Sequence, residues 1–228
     1  MEKNINVVVR AENPTTAWDM WWQILTDQAN GGKCETSRAG NIVGEVINAI
    51  TIIEDPRKCA IVSEIRNMPM NYAVGEFLWY LSGSKKLSDI GRYSKAWDNL
   101  SDDGETVNSA YGYRIQHAFG FNQWDFVKEK LSSDPNSRQA VIHIKDADDR
   151  PTKDTPCTVC LQFSIREGKL HMTTYMRSND IWLGMPYDFF AFMSFQNLLA
   201  MELGVELGTY THVAGSLHLY EKNYKKEV

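Results

Sequence analysis

The amino-acid sequence predicts a single mixed α+β domain spanning residues 1–228. Segments with the apolar rhythm of helices lie among β-branched, alternating segments that read as strands. The 228 residues are 43% hydrophobic and 23% charged, the balance of one globular core of ordinary size. Repeats, low-complexity tracts and long linkers are absent from the sequence. "PTTAWDMWWQILTDQAN" (14–30) places Trp18, Trp21, Trp22 and Leu25 at helical spacing, with Gly31 and Gly32 to end the run. "NIVGEVINAITII" (41–53) is a strand, and "NYAVGEFLWYLSGS" (71–84) is a helix that stops near Gly83. "DFVKEKLSSDPNS" (125–137) is a helix followed by a turn at Pro135. "RQAVIHIKD" (138–146) and "CLQFSIREGKLHMTTYMRS" (160–178) are strands, the latter folded at a hairpin near Glu167-Gly168. "DFFAFMSFQNLLAMELG" (188–204) is a long, strongly apolar, central helix, and "YTHVAGSLHLY" (210–220) returns to strand.

A net charge of -5 argues against a general nucleic-acid-binding surface, though not against a local basic pocket for one small anion. No apolar run reaches the roughly 18–20 residues of a membrane span. The start, "MEKNINVVVR", lacks the apolar core of a signal peptide, and four cysteines do not make a disulfide scaffold. The expectation is a cytoplasmic protein with reduced thiols.

Two of those cysteines sit in "TPCTVCLQFS" (155–164). A redox pair belongs at a helix N-terminus, whereas the residues after Cys160 alternate as a strand. A structural zinc site usually needs two such pairs, and Cys34 and Cys59 stand alone. On spacing alone, Cys157 and Cys160 are equally well read as small buried strand hydrophobes. Glu76 lies in an apolar helix between Val74 and Phe77, where a lone acid costs free energy unless hydrogen-bonded or functional. His218 and Tyr220 alternate on a strand and so share a face.

Seven ordered blocks change these weights. They are "SRAG" (37–40), "GEFLWYLSG" (75–83), "AWD" (96–98), "AYGYRI" (110–115), "DPNSRQ" (134–139), "PCTVCLQF" (156–163) with "RSNDIWLGMPYDFFAF" (177–192), and "HVAGSLHLY" (212–220). In that order the chain resembles the thymidylate synthase family, and in detail its phage-type deoxycytidylate hydroxymethylase branch. The resemblance implies a thymidylate synthase-like fold, with a sheet face at a homodimer interface. It also implies one-carbon transfer to C5 of a pyrimidine nucleoside monophosphate with 5,10-methylenetetrahydrofolate and no metal. Cys157 would be the thiolate that adds to C6 and makes C5 nucleophilic, with Cys160 a bystander. Arg177, near both thiol and phosphate, would lower the thiol pKa. Arg38 and Arg177 of one subunit and Arg138 of the other would hold the phosphate, joined by Ser178. Glu76 would move a proton and order water, and Tyr111 would assist removal of the C5 proton. Trp97, Asp180, Gly184 and Glu76 would form the folate side, and His218 and Tyr220 would bind the sugar hydroxyl.

The departures from the pattern point to the base. The family's Asn that reads uracil is replaced by Asp188. A carboxylate facing uracil accepts from N3–H but meets the lone pairs of O4. A carboxyl facing cytosine accepts from the N4 amino group and shares a proton with N3. Asp188 therefore predicts dCMP, or CMP, over dUMP. Thr158, Met176 and Ser216 also follow the hydroxymethylase branch, in which water attacks the exocyclic methylene and the product is a 5-hydroxymethyl nucleotide. Gln139 replaces a second arginine and weakens the phosphate site. The sequence stopping at Val228 suggests a more open site. The rival readings are a thymidylate synthase, a deoxyuridylate hydroxymethylase, and a relative that only binds nucleotide or RNA. Ribose against deoxyribose stays open.

Overall fold

The computed structural model describes residues 5–30, 35–37, 40–149 and 152–224. In chain order they form β1 (Val8–Ala11), α1 (Pro14–Asn30), β2 (Glu35–Ser37), β3 (Gly40–Ile53), α2 (Met70–Ser82) and α3 (Leu87–Gly91). A 3-10 turn (Lys95–Asn99) leads to α4 (Tyr111–Gln116), α5 (Gln123–Ser133), β4 (Val141–His143), β5 (Thr158–Arg166) and β6 (Lys169–Met176). β7 (Asn179–Asp180), α6 (Met185–Leu203), β8 (Glu206–Tyr220) and α7 (Glu221–Tyr224) complete the chain. The strands make one eight-stranded mixed sheet in the order β1-β3-β8-β6-β5-β4, with β2 paired to β3 and β7 to β8.

The tryptophan-rich helix lies on β3. Trp18, Trp21 and Leu25 are fully enclosed, and the indole N–H groups of Trp18 and Trp21 are satisfied. Trp21 donates to Thr51 Oγ1 at 2.8 Å and Trp18 to the Ile181 carbonyl at 2.8 Å. A Cβ at Gly44 would come within 2.4 Å of the Leu25 carbonyl oxygen, so glycine lets α1 sit this close to the sheet. Helix α6 is apolar over most of its circumference because it is central and largely covered, with Met201 and Glu202 exposed at its end. It packs on β6 and β8 and against α2 and α5. On β8, Gly208, Tyr210, His212 and Ala214 face inward, while Thr209, Thr211 and Val213 lie on the half-buried opposite face.

The helices at 14–30 and 70–82 end as their sequences predict, α2 at Gly83 with φ 65°. The β5–β6 hairpin turns at Glu167 and Gly168, with φ 52° and 75°, the two positive values of a type I′ turn. The expected strand 138–146 shortens to Val141–His143. The Val141 amide turns back to the Gln139 carbonyl at 2.9 Å, and the Ile144 and Lys145 amides converge on the Val159 carbonyl at 3.0 and 3.2 Å, which ends the ladder on both sides. On the outer edge the Gln123 side chain accepts from the His143 amide at 2.8 Å and donates to its carbonyl at 2.9 Å. Helix α5 begins at Gln123, ahead of the expected Asp125, because the Asn122 side chain caps the amides of Trp124 and Asp125. β8 begins at Glu206, ahead of the expected Tyr210, where Glu206 and Leu207 pair with Lys169 and Leu170. Among the described residues no helix is long and apolar enough to cross a membrane.

Gly112 sets the approach of α4 to α2, since a Cβ there would fall 1.9 Å from the Tyr80 carbonyl oxygen. Gly112→Ala is expected to destabilise the fold by about 1–3 kcal/mol or more, read as a lower urea midpoint. Gly91→Ala, whose Cβ would meet Asp98 at an ordinary 3.6 Å, serves as the control and should shift it little.

Candidate functional site

Strand β5 starts immediately after Cys157, and its register with β6 shifts between Thr158 and Cys160. Such an irregularity re-aims side chains at a strand end. Cys157 turns into a cleft of about 320 Å³. Cys160 lies in β5, on the face away from the buried Leu161 and Phe163, and burial raises its thiol pKa. The two form no disulfide. Among the described residues no cluster of His, Cys, Asp and Glu is arranged to hold a metal. A more open hollow of about 910 Å³ beside Gly83–Arg92 is larger, but it contains none of the groups discussed below. We place the site by its chemistry, not by its size.

Arg177 is tied to the cysteine segment. Its amide donates to the Cys157 carbonyl at 2.9 Å. Its guanidinium donates to the Pro156 carbonyl at 3.1 Å, to the Thr155 carbonyl at 2.9 Å and to Cys157 Sγ at 3.6 Å. A permanent cation thus stands beside the thiol while the arginine remains exposed.

Two acids form the cleft floor. Glu76, on α2, is buried and accepts from the Tyr72 hydroxyl at 2.8 Å. Burial pushes its pKa up to about 7, against hydrogen bonds from Tyr72 and Tyr80. The Tyr72 hydroxyl in turn accepts from Trp97 Nε1 at 3.1 Å. Asp188, in the first turn of α6, keeps one edge open to the cleft. The empty cleft counts as accessible surface, yet protein crowds the rest of the carboxyl. Burial and then the charge of Glu76 raise its pKa to about 8, against the Asn179 hydrogen bond. Asn179 Nδ2 donates to Asp188 Oδ2 at 2.7 Å. The Asp180 pKa is raised by burial, although the Trp182 and Leu183 amides donate to its Oδ1 at 2.8 and 3.3 Å. Tyr111 accepts from the Thr158 amide at 3.4 Å, and burial raises its pKa.

His218 is buried and pairs across the sheet with Asp180, its pKa lowered by burial against that carboxylate. Its Nδ1 lies 3.4 Å from Ser216 Oγ, which donates a short bond to Glu45. The Tyr220 ring meets it edge-on at 4.8 Å. Cys157, Glu76, Trp97, Tyr111, Ser178, Asp180, Gly184, Asp188, His218 and Tyr220 therefore all line one cleft. Arg38 lies outside the described residues. Arg138 is exposed on the turn after α5 and does not line the cleft of its own chain.

Several participants were not singled out from sequence. Tyr72 was findable as the i−4 neighbour of Glu76 on one helix face. Asn179 and Glu45 carried no local signal, because their partners lie on other elements, and the Tyr210–His212 pair, two residues apart on β8, gains its role only through Asn179 on β7.

A family model described as "Thymidylate synthase" matches residues 19–227. A deoxyuridylate hydroxymethyltransferase of Bacillus phage SP01 is 31% identical over 204 residues, covering 83% of this chain and 53% of that protein. The chain thus spans about half the length of that relative. A putative thymidylate synthase of Methanosarcina barkeri is 29% identical over 223 residues, 96% of this chain and 92% of the other. The crystal structure of thymidylate synthase from T4 phage superposes with a TM-score of 0.76 at 19% identity, over 92% of this chain and 77% of that one. At that identity the last likeness establishes the fold.

The Glu76 pKa, about 7 in the folded chain against an ordinary 4.5, makes the folded state hold the extra proton between those values. Stability therefore falls as pH rises through that window, and Asp188 acts in the same direction up to about 8. Glu76→Gln is expected to recover about 3 kcal/mol at pH 8 and little at pH 5. Chemical denaturation at the two pH values checks it.

Proposed function

This chain belongs to the thymidylate synthase family, and on that premise we propose that it hydroxymethylates C5 of a cytidine monophosphate, dCMP before CMP. The single observation that carries the base assignment is Asp188 on the cleft floor, an acid pushed to about 8 and so protonated at neutral pH. A neutral carboxyl whose O–H faces N3 and whose carbonyl oxygen faces the N4 amino group matches cytosine. The opposite placement of its proton would match N3–H and O4 of uracil, so in this reading the O–H lies at N3. A site with mismatched donors and acceptors rejects the wrong base by as much as about 10⁴–10⁵.

The chain's own groups support the chemistry. The Cys157 thiolate, beside the Arg177 guanidinium, adds to C6 of the ring and leaves C5 electron-rich. Arg38 and Arg177 of one subunit hold the phosphate together with Arg138 of the partner subunit, and Ser178 adds a hydroxyl. His218 and Tyr220 hold the sugar. Glu76, with a pKa near neutrality, exchanges a proton at the ring and orders the attacking water. Tyr111, next to the Cys157 segment, takes part in removing the C5 proton.

The residues present fit a folate. Trp97, Tyr187 and Leu183 give an aromatic and apolar wall, with the Asp180 carboxyl and Gly184 at its edge. 5,10-Methylenetetrahydrofolate, when bound there, supplies the one-carbon unit. The half-exposed sheet face carrying Gln162, Thr173 and Thr211 is where a second copy packs in this reading. The placement is cytoplasmic and involves no membrane.

A second reading, hydroxymethylation of dUMP, is favoured by the likeness to the phage SP01 deoxyuridylate hydroxymethyltransferase. Mass spectrometry of products from dCMP, CMP, dUMP and UMP separates the two. The expected result is a gain of one formaldehyde on dCMP, with Asp188→Asn moving preference toward dUMP. A gain on dUMP alone, unchanged in the variant, would sink the cytosine assignment. Because Asp188 loses its proton above about pH 8, kcat/KM for dCMP is expected to fall as pH rises through that value. In Asp188→Asn this limb should disappear.

A further inference from the structure

Behind Asp188 runs a buried polar chain that the proposed chemistry does not use. Asn179 donates to Asp188 Oδ2 at 2.7 Å, and Asn179 Oδ1 lies 3.1 Å from His212 Nε2. The single proton of the Tyr210 hydroxyl has two acceptors in reach, Thr174 Oγ1 at 3.2 Å and His212 Nδ1 at 2.8 Å, of which the imidazole nitrogen is the nearer and more basic. Asn179, His212, Tyr210 and Thr174 are each 3% exposed or less, so no solvent competes for these bonds. They span β6, β7 and β8 and end on the one carboxyl that faces the base. A Cβ at Gly184 would stand 3.0 Å from Asn179 Nδ2 and 3.3 Å from Asp188 Oδ2, so a glycine keeps space for the pair.

An amide and an imidazole in series allow only two self-consistent polarities. In one, Asn179 turns its NH2 to Asp188 and its carbonyl to a His212 protonated on Nε2, and His212 Nδ1 accepts from the Tyr210 hydroxyl. In the other, both Asn179 and His212 are reversed and Asn179 presents its carbonyl to Asp188. The two leave different faces for the base. With an N–H at Oδ2, that oxygen is the carbonyl of the neutral acid and the acid proton sits on Oδ1, free to be donated. With a carbonyl at Oδ2, the proton is committed to Asn179 and Oδ1 can only accept. The charged groups facing Asp188 are Glu76 from α2 and Asp180 from β7, with the Tyr80, Tyr111 and Tyr210 hydroxyls nearby. None of these distinguishes the two oxygens as Asn179 does.

We propose that Asn179, His212 and Tyr210 are positioning residues for base selection: their hydrogen-bond polarity makes Asp188 a donor toward N3 of the pyrimidine and thereby selects cytosine. This rests on the reading of Asp188 given under the proposed function. Tyr210 is the control point, because its hydroxyl holds the His212 tautomer. Burial drives the His212 pKa down to about 3, so the ring is neutral and a tautomer must be chosen.

The test is competition between dCMP and dUMP in one reaction, giving the ratio of their kcat/KM values. Calorimetric binding of each mononucleotide provides a readout that needs no turnover. The variants are Tyr210→Phe, which removes one hydroxyl and keeps the ring, His212→Phe, Asp188→Asn, and Met193→Ala as a destabilised core control. Tyr210→Phe is expected to lower the dCMP-to-dUMP ratio about tenfold. Met193→Ala should change both substrates equally and leave the ratio alone. If wild type prefers dCMP and Asp188→Asn abolishes this, but Tyr210→Phe and His212→Phe keep the ratio within about twofold, the relay is overturned while the reading of Asp188 stands. If wild type prefers dUMP, the cytosine reading fails and the relay assignment falls with it.

Discussion

Strand β8 is hydrogen-bonded along both edges, and the cleft depends on that arrangement. On one side β3 runs antiparallel, from Ile53 opposite Tyr210 to Ile42 opposite Tyr220. On the other side β6 runs parallel as far as Met176 opposite Ala214, and β7 takes over at Asn179 opposite Leu217. Between the two partners the chain crosses Gly215, where a Cβ would stand 3.0 Å from the Arg177 carbonyl oxygen. That break lets Arg177 turn back to Cys157 while Asn179 and Asp180 rejoin the sheet. Thiol, guanidinium, histidine and acids meet at one end of the sheet because a single strand holds two partners in sequence.

Electrostatics gives the site its character. Glu76 and Asp188 share one enclosed space, each pushed up first by burial, with Glu76 raising Asp188 further. Two carboxylates cannot both stay ionised there without large cost, so protonated forms persist near neutral pH. Among the described residues, Arg177 stays exposed and stands beside the thiol. The cleft thus keeps proton-bearing acids on its floor and a fixed positive charge beside its thiol. That division suits proton exchange at a ring and capture of a phosphate.

Much of this architecture was legible in the sequence. The helices expected at 14–30, 71–84 and 188–204 follow from apolar spacing, the second and third ending at Gly83 and Gly204, though the third begins earlier, at Met185, with Pro186 in its first turn. The hairpin at Glu167-Gly168 follows from turn chemistry. The expected strand 138–146 shortens to Val141–His143 because amides at its two ends turn to the Gln139 and Val159 carbonyls, a departure that its β-branched sequence does not signal. Tyr72 carries a local signal, its i−4 spacing from Glu76 on one helix, whereas the bonds of Asn179 to His212 and of Glu45 to Ser216 join different strands and leave no local pattern.

The sequence by itself determined the family, and it names the groups that the proposed chemistry uses: a Pro-Cys before a strand, an arginine after the next one, and an acid at 188 where the family pattern has asparagine. These are matters of residue identity and order, which the chain states directly. Only the tertiary structure decided how the groups act on one another. It supplied the desolvation that lifts Glu76 and Asp188, the 3.6 Å approach of Arg177 to the thiol, and the relay from Asn179 to Tyr210. Protonation state and hydrogen-bond polarity depend on neighbours brought close by folding, so they belong to the packed molecule and not to any segment of it.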